Sequence, residues 1–165
     1  MGRKWREVVV LGSVALEPLA LVLQDPSSKT RYQAAQTMGW MGNKEAIEVL
    51  VKTMKTEDWR LLTSIVRALD ELEWQPGRGS DRAYHFVVHE KWTEAAKLGA
   101  VAVKPLVFAL GKSYSSTPRA LIQALVDLGP DTVEPLIKVL KEGKQEEARK
   151  GAAEALGLMG GISTI

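Results

Sequence analysis

Self-similarity at a fixed period constrains this chain more than any single motif in it. Four segments share one pattern: Ala15-Leu16-Glu17-Pro18-Leu19, Ala46-Ile47-Glu48-Val49-Leu50, Ala102-Val103-Lys104-Pro105-Leu106 and Thr132-Val133-Glu134-Pro135-Leu136. Their last leucines, 19, 50, 106 and 136, are spaced 31, 56 and 30. A second column consists of apolar anchors preceding a small or helix-ending residue: Val8, Met38, Leu69, Leu125 and Leu156, spaced 30, 31, 56 and 31. Two independent columns give one unit of about 31 residues and place one interval with 25 extra.

Each unit reads as two antiparallel helices. The first, A, runs for example from Ser27 or Ser28 to Met41, with Thr30, Ala34, Ala35, Met38 and Met41 at helical spacing and Gly42 as its C-terminal cap. The second, B, carries a proline in its first turn, where the missing N–H has no intrahelical partner to lose, at Pro18, Pro105 and Pro135. In the last B helix Val133, Leu136, Ile137 and Leu140 make the expected buried stripe, with Glu134, Lys138 and Lys141 opposite. One hairpin cannot bury its stripe alone, so the hairpins must stack. The predicted fold is therefore all-α: an α-solenoid, or superhelix, of antiparallel helix hairpins forming a single array over residues 1–165. Aromatics at 6% and a core of Leu, Val and Ala agree with helix-on-helix packing.

The residues Ala155-Leu156-Gly157-Leu158-Met159-Gly160, and Ala124-Leu125-Val126-Asp127-Leu128-Gly129 running into Val133-Glu134-Pro135-Leu136, resemble the short HEAT-like repeats of phycobilin lyase subunits and many prokaryotic scaffold proteins. Tetratricopeptide and ankyrin repeats have nearby periods, but their signatures are absent. The resemblance implies a fold and leaves the activity open, because this repeat recurs in proteins of unrelated function. It also implies an Asp before helix A and an Arg early in it. Asp25 with Arg31 fits, Arg149 keeps the Arg, and Leu62 and Pro118 interrupt the ladder.

The anomalous interval is read as an irregular insertion at 73–98. Glu73 to Ser80 is loop chemistry, and Ser80 or Asp81 caps one further helix through Lys97, striped by Tyr84, Val88, Trp92 and Ala95. On this reading helix 58–72 lost its B partner, and 81–97 acts as the next A helix. Trp59, Trp74 and Trp92 fall in or beside this segment.

Chemistry-bearing constellations are few. With no cysteine, thiol catalysis, disulfides and Cys-ligated zinc are excluded. No nucleophile elbow or phosphate loop exists, and Gly39, Gly42, Gly157, Gly160 and Gly161 read as helix-terminating and packing glycines. The two histidines, His85 and His89, lie four apart with Asp81 one turn earlier, a spacing that lets two imidazoles chelate one metal. The sequence between them lacks the Glu of zinc hydrolases, so the pair stands as a weak metal candidate. No enzymatic activity and no cofactor are expected.

What remains is the B-helix surface, the concave side of most helical solenoids. Its outward columns are Glu17, Glu48, Lys104, Glu134 and then Leu21, Lys52, Phe108, Lys138. Leu21 and Phe108 stand where charge otherwise falls, which makes them anchors for a protein or peptide partner, with Lys52, Lys104 and Lys138 beside them. Net charge is only +2 and the other column is mostly acidic, which speaks against nucleic acid. The apolar run 8–23 is interrupted by Glu17 and Pro18 and is too short for a membrane span, so the expected compartment is the cytoplasm. The best functional expectation is a non-enzymatic interaction scaffold. The alternatives are an accessory subunit of a modifying enzyme resembling phycobilin lyases, testable by tetrapyrrole absorbance, and, less favoured, a nucleic-acid-binding module. The chain opens inside an A helix and ends where a further B helix would begin, so the expectation is either a piece of a longer array or end-to-end self-association through open repeat ends.

Overall fold

The computed structural model describes residues 11–26, 29–56, 58–112 and 117–162, and among them the only regular secondary structure is helical. The expected opening of an A helix before Leu11, its anchor Val8, and the Ser27 or Ser28 helix start lie outside the described residues. The α-helices are α1 Leu16–Gln24, α2 Arg31–Trp40, α3 Ala46–Thr53, α4 Trp59–Glu71, α5 Ser80–Val88, α6 Trp92–Ala96, α7 Val103–Ala109, α8 Arg119–Asp127, α9 Val133–Glu142 and α10 Glu146–Ile162. Short 3-10 turns, Gly12–Ala15, Gly99–Ala102 and Gly129–Thr132, lead into α1, α7 and α9. The chain divides into two compact units, Met1–Pro76 and Gly77–Ile165. Each is built as an α-solenoid builds its layers, A helices against A helices and B against B.

In the first unit α2 packs on α4 in the A layer, α1 on α3 in the B layer, and α1 and α3 each touch an A helix. The repeat columns explain this. The B-helix leucines Leu19, Leu50, Leu106 and Leu136 are all buried, and so is the small residue opening each segment, Ala15, Ala46, Ala102 and Thr132. Each buried leucine contributes about 1.5–3 kcal/mol relative to exposure. Thr132 keeps the column only because its hydroxyl is satisfied, donating towards the carbonyls of Gly129 at 2.8 Å and Leu125 at 3.1 Å. The prolines 18, 105 and 135 fall in the first turns of α1, α7 and α9, as their chemistry requires.

In the second unit α6, α8 and α10 pack in succession as the A layer, with α7 against α9 as the B layer. Here the structure corrects the expected single helix over 81–97. It is two helices, with Ser80 already inside α5 and Gly79, not Ser80 or Asp81, at the N-cap. The break follows His89, where Glu90 takes the left-handed φ of 57°. The Lys91 amide then donates to the Phe86 carbonyl at 2.9 Å and the Glu90 amide to Val87 at 3.1 Å, a Schellman closure of α5. Glutamate is a poor residue for that conformation, which costs on the order of 1–2 kcal/mol, so nothing in the sequence announces the stop. The Glu90 carboxylate pairs with Lys112, a surface contact that offsets part of this.

The break changes the meaning of the long interval. α5 packs on α6 and α7, the contacts that a B helix makes with the next A and next B helices, as α1 does with α2 and α3. The expectation that 81–97 acts as the next A helix is corrected: α5 makes B-helix contacts and α6 takes the A position. Leu72, Leu98 and Leu128 each stand just before a left-handed residue and are 26 and then 30 apart, so the 56-residue interval divides into two repeats, the first shortened. The left-handed residues mark the same rhythm: Gly12, Gly42, Glu73, Gly99 and Gly129 are spaced 30, 31, 26 and 30 and have φ between 56° and 68°.

Two other expectations are revised. α10 runs through Gly157, Gly160 and Gly161 instead of ending at Gly160, because glycine adopts right-handed helical angles as readily as left-handed ones. Leu140, placed in the buried stripe of α9, is 40% exposed, while Val133 and Ile137 are half-buried and Leu136 alone of the four is fully buried.

Candidate partner-binding surface

On the B helices, residues four apart share a face. Glu17 and Leu21 on α1, Glu48 and Lys52 on α3, and Glu134 and Lys138 on α9 are all exposed, as is Lys104 on α7. Leu21 is 68% exposed, on the helix whose Leu19 and Leu23 are buried. Phe108 is half-buried, so it does not project from α7 as Leu21 does from α1.

Beside Lys52, in the first unit, lies a concavity of about 310 Å³ lined by Gln24, Arg31, Lys52, Thr53, Lys55 and Thr56. It sits where the C-terminal turns of α1 and α3 come together. Arg31 is anchored there, its Nε donating to the Leu23 carbonyl at 2.9 Å. Arg149, early in α10, repeats the device on the preceding B helix, with Nη1 donating to the Gly143 carbonyl at 2.6 Å. Both arginines satisfy carbonyls that a helix C-terminus leaves without intrahelical partners, with a charge-assisted bond. The resemblance to HEAT-like repeats singles out these two positions, but sequence reasoning does not supply the acceptor, because a carbonyl carries no residue signature.

In the second unit a more apolar groove of about 430 Å³ runs between α8, α9 and α10, lined mainly by Val126, Pro130, Val133, Leu156 and Met159. The rings of His85 and His89 have centroids 4.6 Å apart, tilted by 56°. His85 is half-buried and His89 exposed at the end of α5, so the pair offers two donors to an ion; Asp81 lies half-buried in the first turn. Trp92 belongs to the core, 5% exposed, and Trp59 and Trp74 are half-buried. Arg3, Lys4 and Arg6 lie outside the described residues.

The family model of HEAT repeats matches residues 16–89, from the first residue of α1 through the cap of α5. Over these residues the chain carries HEAT-like repeats. The match includes 73–89, so it counts α5 within the repeat pattern. No curated protein matches the chain. HEAT repeats generally serve as protein–protein interaction scaffolds, and no helix among the described residues is long and apolar enough to cross a membrane.

Proposed function

We propose that this protein is a non-enzymatic scaffold that holds a protein partner on the surface of its B helices. The observation that carries the reading is Leu21, 68% exposed at the helical register that Lys52 and Lys138 occupy elsewhere. A large apolar side chain in a charged column gains free energy when a partner covers it, roughly 1.5–3 kcal/mol for full burial. Lys52, on the neighbouring B helix of the same unit, would help steer and orient that partner.

The test is affinity capture with the wild type and with Leu21→Asp, Lys52→Glu and Lys138→Glu, each first shown by circular dichroism to keep its helix content. A partner retained by the wild type and lost with Leu21→Asp supports the reading. Capture that no B-helix substitution alters would sink it.

A further inference from the structure

We propose that the basic pocket at the C-terminal ends of α1 and α3 is a docking site for an acidic segment of a protein partner; this rests on the scaffold reading and names the partner's chemistry. Three cations reach the pocket from two stretches of chain: Arg31 from the start of α2, and Lys52 and Lys55 from the last turn of α3 and the residues just after it. Among the described residues no carboxylate lines it.

The donors around these cations suit a carboxylate. A guanidinium has five N–H groups, and the Leu23 carbonyl takes only the Nε proton of Arg31, so this bond fixes the plane of the group while other donors remain on it. Thr53 Oγ1 donates its proton to Val49, but Thr56 Oγ1 accepts from the Asp58 amide, which leaves its own proton to donate. The Gln24 amide adds neutral N–H donors. Charged and neutral donors around one concavity are the usual arrangement for recognising an oxyanion.

The surroundings favour a peptide over a lone ion. Leu21 is exposed on α1, three residues before Gln24 and so on neighbouring helical surface. Glu17 and Glu48 are exposed one turn before Leu21 and Lys52, so this face changes sign along the B helices. A segment with an apolar residue next to acidic ones would meet Leu21 and the pocket in one orientation only. The competing explanation is that the cations merely offset the partial negative charge of two helix C-termini. That role stabilises the fold and binds no peptide.

Fluorescence anisotropy with a fluorescein-labelled peptide of six glutamates around one leucine separates the two. The wild type should bind it and not the hexalysine counterpart, and Lys52→Gln/Lys55→Gln should weaken binding roughly ten-fold. The double variant should keep the wild-type melting temperature within a few degrees, and Lys52→Arg/Lys55→Arg should retain binding. Affinity should fall as salt rises from about 50 to 500 mM. No peptide binding at low salt, equal binding by the double glutamine variant, or binding of inorganic phosphate without the peptide would each overturn the proposal. A captured partner that depends on Leu21, alongside a peptide that fails, removes the pocket and leaves the scaffold reading standing.

Discussion

Two A helices carry nearly the same letters and use them differently. In α2 the run is Met38-Gly39-Trp40-Met41-Gly42, and in α10 it is Leu156-Gly157-Leu158-Met159-Gly160. Gly39 is buried under α4, where an added Cβ would lie 2.8 Å from the Ala68 Cα. Gly157 is exposed, and an added Cβ would meet nothing within 4 Å. Gly42 has φ +65° and ends its helix, whereas α10 continues through Gly160. The motif therefore records a repeat position, and the neighbouring A helix decides whether its first glycine is a packing requirement. The exposed members, Trp40 and Leu158, lie between the two glycines in both copies and are similarly solvated.

Substitution at the paired positions is the sharpest way to break this contrast. Gly39→Ala should cost most, about 1–3 kcal/mol, since the Ala68 backbone has to retreat; urea unfolding that matches the wild type would show that α2 and α4 do not approach so closely. Gly42→Ala should cost about 1–2 kcal/mol through the left-handed φ alone, and Gly160→Ala should not share that cost. Gly157→Ala should raise stability by roughly 0.5–1 kcal/mol, the usual gain for alanine over glycine in an open helix interior, and a loss there would mean that something packs on that face.

The smallest effect concerns the first turn of α10, which α2 does not duplicate. Lys150 pairs with Glu146 and Glu147 at 2.9 Å. The hydrogen bond and charge of Lys150 hold the Glu146 carboxyl below its ordinary value, and the two glutamates raise Lys150. A depressed carboxylate contributes stability above its unfolded pKa and loses it as pH falls through the folded one. Helix content at this end should thus decline on acidification below the ordinary glutamate range, around pH 4.5. Because Glu146 and Lys150 are exposed, salt should weaken the dependence; a pH profile unaffected by salt would contradict the pairing.

The leucine and small-residue columns made the hairpin stack legible in the sequence, because their burial is enforced at every copy by the same steric need. The prolines located the B helices for a similar reason. Hidden in the sequence was the break at Glu90, since the left-handed cap that glycine signals at 12, 42, 99 and 129 is occupied by glutamate at 73 and 90. With that punctuation missing, a shortened repeat resembled an insertion. The candidate surface was legible residue by residue, in Leu21 and Lys52, but not the pocket beside them. Lys55 follows Lys52 by three residues, but Arg31 and Gln24 are distant from them in sequence, and only the meeting of two helix ends brings them together.

The arginine straps have one more consequence. Arg31 ends on the carbonyl of a leucine and Arg149 on that of a glycine, so the acceptor is supplied by the backbone whatever side chain stands there. Each strap thus needs a single arginine and imposes no matching substitution on its target, which leaves residues 23 and 143 free to follow other demands. One residue can be gained or lost without a partner having to change with it, and a link between consecutive hairpins built this way can be copied along an array one mutation at a time.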